Sequence, residues 1–327
     1  MISSLELLDA LATCKPESIL IIGDIMLDEY HWCEVKRISP EAPVPICKVL
    51  KTTLVPGGAA NVAANVVTLG NTPILVGVLG TDSTGEKLKK ELGKAHIPTQ
   101  SLVQTPERPT ILKSRIIAHH QHVVRLDRED GGELPKTVQA EILKKVDGVL
   151  GQVKAIILSD YLKGTLSPGL IRAVITKARK QGIPVIVDPK GDDYSKYKGA
   201  TILTPNFGEF ETAIRKKTQN EDEICTEAVK LIKKLNLPAL LITRSEKGMS
   251  LVLENGTKID IPTQAKEVFD ITGAGDTVIA TFSVALAAGK SMEVAAAIAN
   301  HAAGIVVGKM GTATATFDEI RHDIAHG

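Results

Sequence analysis

Short apolar runs recur along this chain, at residues 19–22, 74–78, 155–158, 184–187, 201–203 and 240–243. They are apolar nearly throughout rather than alternating, so each reads as a strand covered on both faces. Helical patterns lie between them, at 85–95, 138–150, 170–181 and 224–235. Another precedes the first run, where Leu5, Leu8, Leu11 and Ala12 follow the N-cap candidates Ser3 and Ser4. Strands that alternate with helices leave few solutions. The expected class is α/β: a three-layer α/β/α sandwich around a mostly parallel central sheet. Ligands of such sheets bind at the carboxyl ends of the strands. That rule points to Asp24 and Asp28, Ser159-Asp160, Asp188-Pro189-Lys190, Thr204-Pro205-Asn206 and Thr243-Arg244.

Two segments break the alternation. Residues 29–55 and 108–127 carry short β-like runs without helices, and Pro40, Pro43 and Pro45 cluster in the first. They read as a small β-sheet lid inserted into a single domain of residues 1–327, placed to cover a site and exclude water.

Composition narrows the function. Aromatic residues make up 3% of the 327 residues and the formal net charge is +1. The first argues against stacking platforms for single strands, the second against a general polyanion-binding field, and no basic recognition helix is evident. The partners expected are small molecules, not nucleic acid or membrane. Cys14, Cys33, Cys47 and Cys225 show no metal spacing and read as free thiols. The start lacks the basic and apolar pattern of a signal peptide, so a cytoplasmic protein is expected. His119, His120 and His122 read as surface residues.

The stretch 268–288 carries the chemistry. Asp270-Ile271-Thr272-Gly273-Ala274-Gly275-Asp276 precedes an Ala-rich helix. Two glycines one residue apart let the backbone come close to a ligand. Amides at a helix start have no intrahelical acceptor and favour an anion. Asp276 would then stand beside a bound phosphate, awkward unless it accepts the proton of an attacking hydroxyl. A tight turn with an acidic helix start explains the same residues.

Other segments carry similar pairs of readings. Gly57, Gly58 and Asn61 open a second helix, with Asn61 suited to a polyol or simply facing solvent. Asp24 and Asp28 are sugar-hydroxyl acceptors or loop residues. Lys190 is a phosphate contact or a solvated lysine. Glu209, three residues after Asn206, is a helix-start acid or orders water on Mg²⁺. Thr243, Ser245 and Gly248 form a nucleotide-phosphate loop or a plain corner.

Together these motifs resemble the ribokinase-like, PfkB-type carbohydrate kinases over nearly the whole chain. The early Gly57-Gly58-Ala59-Ala60-Asn61 and the late Asp270–Asp276 stretches carry the likeness. It runs further toward the kinases of D-glycero-β-D-manno-heptose 7-phosphate, through 23–28, 37–45, 159–161, 188–191, 243–250 and 308–312. The resemblance implies ATP, Mg²⁺, frequent K⁺ activation and a small β lid often shared across a homodimer. It implies Asp276 as catalytic base, with Gly273, Ala274 and Gly275 as anion hole. Asn206, Glu209, Thr243, Ser245, Gly248 and Asn300 fall on its nucleotide positions, with Glu209 near Mg²⁺. Asp28, Gly58 and Asn61 fall on its sugar positions, and Asp270, Thr272 and Gly311 near its K⁺ loop. For the distal phosphate, Lys190 is the first expectation, followed by Arg37, Lys113 and Arg115. Many relatives of the heptose kinases carry a C-terminal adenylyltransferase with an HxGH-type motif. None occurs here, so kinase chemistry alone is expected. A kinase of another sugar, such as fructose phosphate or ribose, and a silent sugar-binding regulator are the alternatives.

Overall fold

The computed structural model describes residues 2–118, 121–265 and 267–327. Its central sheet has eight strands in the order Lys258–Ile261, Met249–Leu253, Ala239–Thr243, Ile202–Leu203, Val185–Asp188, Ala155–Ser159, Ser18–Gly23 and Thr72–Val76. Six of these are parallel, and the two at the Lys258 edge turn back as antiparallel neighbours. The apolar runs are indeed covered on both faces. Ile19 and Ile21 point into a core formed with helices Ala59–Thr68, Ala274–Ala287 and Met292–Val307. Leu20 and Ile22 point into a second core formed with helices Lys136–Val149, Pro168–Lys180 and Glu221–Leu235. Period-two side chains of one strand thus serve two helical layers. The run at 74–78 breaks at Gly77, and Val78–Gly80 pairs instead with Val103–Thr105.

A second sheet has the order Pro45–Gly58, Ile25–Ile38, Ile111–Ala118 and Gln121–Arg128. It gathers the runs expected in 29–55 and 108–127, but reaches back to Ile25 and on to Gly58. One residue, Asp24, separates its strand Ile25–Ile38 from the central strand Ser18–Gly23. Its strand Pro45–Gly58 runs straight into helix Ala59–Thr68. Every residue of the outer strand Gln121–Arg128 is exposed, His122 among them. His119 and His120 lie outside the described residues. Among those described, no helix is long and apolar enough to cross a membrane.

Candidate active site

Helix Ala274–Ala287 starts on Gly273, whose φ of 82° lies in the left-handed region that favours glycine. No side chain caps this start. The Ala274 amide donates to the Ile271 carbonyl at 3.2 Å, and the next two, of Gly275 and Asp276, have no intrahelical acceptor and are left to an outside one. Asp276, in that first turn, is 5% exposed. Its Oδ2 accepts from Asn61 Nδ2 at 2.7 Å and its Oδ1 from the Tyr161 hydroxyl at 2.9 Å. Burial pushes the carboxyl up to about 6; the two donors hold it down and the nearby Asp28 raises it further. A base with that affinity for a proton is ionised at neutral pH yet still able to take one.

One donor to this carboxylate comes from a second helix start without a side-chain cap. Gly58, at φ 60°, is the N-cap of helix Ala59–Thr68, which buries Asn61 in its first turn. A Cβ on Gly57 would collide with Asp28 Oδ2, and one on Gly273 would stand 2.8 Å from Asn61 Nδ2. The glycines thus let Asp28, Asn61 and Asp276 crowd into one place. Asp28 belongs to the small sheet, where Arg115 Nη1 pairs with its Oδ1 at 2.5 Å and the Arg115 Cζ lies 5.2 Å from the Tyr30 ring centre. Lys113 is in register with Asp28 on the neighbouring strand. Arg37 stands exposed near the far end of strand Ile25–Ile38.

Asp24 has a different place from the one its sequence position indicates. It is wholly buried, and its carboxylate accepts the amides of Tyr161, Lys163 and Thr165, each at 3.0 Å. Full burial and three amide donors leave it shaping the loop after strand Ala155–Ser159 rather than meeting a sugar hydroxyl. Tyr161, on that loop, was not a candidate from sequence in its own right. Its hydroxyl reaches a residue 115 positions away, which no local pattern reveals.

The nucleotide candidates gather at neighbouring strand ends. Asn206 and Glu209 form a reciprocal capping box on helix Phe207–Ile214. An isolated parallel bridge sets Asn206 beside Thr243. The corner after Thr243 holds Ser245 at φ 50° and Gly248 at φ 78°, where a Cβ would collide with the Ile261 carbonyl. Arg244 folds inward to Glu221 and Ser250, with its guanidinium 5.7 Å from the Phe207 ring centre. Lys190 pairs with Glu209, which puts it on this side of the site rather than beside Asp28. The intervening Asp188 has its carboxyl well above the usual range through burial, then through Asp276 and Glu209. Asn300, 3% exposed, donates to the Pro262 carbonyl at 2.7 Å.

The three candidates for a monovalent cation are tied together. Asp270 accepts the Thr272 amide at 2.9 Å and the Gly311 amide at 3.1 Å. Burial would raise this carboxyl, but the bonds from Thr272 and Gly311 outweigh it and hold it below its ordinary value. The described residues hold no cluster of three or more His, Cys, Asp or Glu able to seat a metal.

The glycine start and its buried acid thus lie between the Asp28–Asn61 cluster and the Asn206–Thr243 corner. The model of the pfkB family of carbohydrate kinases matches residues 16–319. The chain belongs to that family. It is a sugar kinase with the ribokinase-like fold. A bifunctional protein HldE of Geotalea uraniireducens is 46% identical over 307 residues, covering 94% of this chain and 63% of the relative. HldE of Vibrio parahaemolyticus is 46% identical over 309 residues, with the same coverage. The chain thus spans 63% of the length of these relatives. The pfkB fold is matched by phosphofructokinase-2 from Escherichia coli in complex with potassium, at TM-score 0.80 and 19% identity over 95% of this chain and 99% of that one. Ribokinase of Arabidopsis thaliana, complexed with ribose and ATP, matches at TM-score 0.76 and 21% identity over 96% and 100%.

Proposed function

We propose that this pfkB kinase transfers the γ-phosphoryl group of ATP to O1 of D-glycero-β-D-manno-heptose 7-phosphate. The product would be the 1,7-bisphosphate, on the route to ADP-heptose for lipopolysaccharide core. The observation that carries the chemistry is Asp276, poised between Asn61 and Tyr161 at an open helix start. Its carboxylate accepts the O1 proton as O1 attacks the γ-phosphorus and the bond to the β,γ-bridging oxygen breaks, releasing ADP. The amides of Gly275 and Asp276 would face the charge on the transferring group, that of Ala274 being bonded to the Ile271 carbonyl. The heptose assignment rests on the HldE relatives and on the shared segments from Gly23–Asp28 to 308–312.

ATP is assigned to Asn206, Glu209, Thr243, Ser245, Gly248 and Asn300. Mg²⁺ favours phosphate oxygens and waters over an all-protein cage, which suits a lone contact such as Glu209 beside nucleotide phosphates. Glu209 would hold it through water, and the ion would offset phosphate charge. Loop oxygens around Asp270, Thr272 and Gly311 suit K⁺. Asp28, Gly58 and Asn61 are assigned to the sugar. For the 7-phosphate, Lys113 precedes both Arg115 and Lys190, since it stands in register with Asp28 while Arg115 is paired with Asp28 and Lys190 with Glu209. The small sheet would close over the sugar, and its exposed outer strand suits pairing with a second copy.

A panel of sugar phosphates with coupled ADP detection tests the reading, with ³¹P NMR of the product. ADP release and a new anomeric phosphate with heptose 7-phosphate alone support it. Preference for fructose phosphates or ribose replaces the substrate, and no ADP from any sugar overturns the catalytic assignment.

A further inference from the structure

Asp276 is gripped by a residue for which the transfer chemistry has no evident use. Tyr161 stands in the tight loop after strand Ala155–Ser159, with Leu162 at φ 56° and Gly164 at φ 92°. A non-glycine residue in the left-handed region costs roughly 1–2 kcal/mol, so something must hold the loop in this shape. Asp24 does. Its buried carboxylate collects the amides of residues 161, 163 and 165. A second carboxylate, Asp160, fastens the other side: its Oδ1 accepts the Leu162 amide at 2.8 Å, and its Oδ2 accepts Lys196 Nζ and the Tyr197 hydroxyl, both at 2.7 Å. The loop is thus fixed from two directions, and its one side chain reaching the base is Tyr161.

We propose that Tyr161 is a positioning residue for the base, and that Asp24 acts through the 160–165 loop to set where Tyr161 stands. The two donors on Asp276 come from different layers: Asn61 from helix Ala59–Thr68, Tyr161 from the loop on the other side of the strand ends. One donor fixes a carboxylate at one oxygen and leaves it free to swing. Two donors on the two oxygens fix its plane. The remaining lone pairs are then left in a set direction for the acceptor hydroxyl. This rests on the proposed role of Asp276 as base, but not on which sugar is bound.

The groups facing Asp276 are Asn61 from its helix, Asp28 from the small sheet, Tyr161 from the loop and Asp188 from strand Val185–Asp188. The Asp28 carboxylate disfavours its charge, the Asn61 amide and the Tyr161 hydroxyl favour it, and Asp188 is itself pushed up by Asp276. Removing that hydroxyl therefore makes Asp276 easier to protonate.

Titration of ¹³Cγ-Asp-labelled protein by NMR tests this without substrate, the Asp276 signal being the one missing from Asp276→Asn. Tyr161→Phe should move its midpoint to higher pH and carry the acid limb of kcat/KM with it. kcat should fall about 10- to 100-fold at neutral pH while KM for ATP stays within twofold. Asp24→Asn, in which an amide group faces the loop donors, should reproduce the shift in part. The double variant should be no worse than the more impaired single. An unmoved Asp276 signal in folded Tyr161→Phe protein overturns the proposal, and so does full additivity of the two substitutions in the same titration. If wild type makes no ADP from any sugar, the proposed function fails, and the NMR titration still decides the place of Tyr161.

Discussion

Two helix starts frame the site, and they are built in opposite ways. The start at Asn206 is closed: Asn206 Oδ1 takes the Glu209 amide, and Glu209 Oε2 takes the Asn206 amide. The start at Gly273 is open: glycine replaces the capping side chain, and the acid in the first turn looks away to Asn61 and Tyr161. A cap satisfies orphan amides with the chain's own oxygens and contributes about 1 kcal/mol of stability. An open start forgoes that gain and keeps the amides for a ligand. The closed start helps hold the molecule together and shapes one wall. Under the proposed function, the open one is left for the reacting group.

Substitutions sharpen or break this contrast. The largest effect should come from Asp276→Asn, which removes the proton acceptor: kcat should fall by about 10²–10⁴-fold, with little change in KM for sugar. Near-normal turnover would remove the open start from the chemistry. In the wild type, protonation of the same carboxyl should bend the pH profile. Activity should fall as pH drops through about 6, and kcat/KM recorded from pH 4.5 to 8.5 reads that limb. Gly273→Ala comes next. It strains the turn by roughly 1–2 kcal/mol and presses on Asn61, so kcat should fall about 10-fold while far-UV circular dichroism stays unchanged. A silent Gly273→Ala would show that neither the left-handed turn nor the close approach to Asn61 matters for turnover. Glu209→Gln removes the charge that pairs with Lys190 and should raise KM for ATP about 3- to 10-fold, leaving that for the sugar alone. The smallest effect belongs to Thr316→Ala, which breaks the other capping box, on helix Phe317–His326, far along the chain from the turn. It should lower Tm by about 2 °C and leave kcat intact. A Thr316→Ala variant that loses turnover would blur the division between starts that hold and starts that react.

The strands of the central sheet were legible because each is a packed apolar run, and the frame follows from that pattern with right-handed connections. Its antiparallel edge, Met249–Leu253 and Lys258–Ile261, was not, since polar Ser250, Lys258 and Asp260 interrupt the apolar signal. The turn at 270–276 was legible from its glycines. Asp24 was misleading: a carboxylate at a strand end looks the same in sequence whether it meets a sugar or three amides. Lys190 was likewise free in sequence and committed to Glu209 in three dimensions. Tyr161 was illegible as a contact, because loop curvature around a buried acid, and no nearby spacing, aims it at Asp276.

The single residue between the central sheet and the small one has one more consequence. The Asp24 amide donates to the Ser159 carbonyl at 3.3 Å, its own carbonyl accepts the Ala59 amide at 3.0 Å, and its carboxylate holds the 161–165 loop. Asp24 is thus riveted on every side at the root of the flap-like strand Ile25–Ile38. Any rocking of that sheet would pivot beyond the rivet and carry Asp28 and Arg115 with it, while Asn61, Tyr161 and Asp276 keep their alignment behind it.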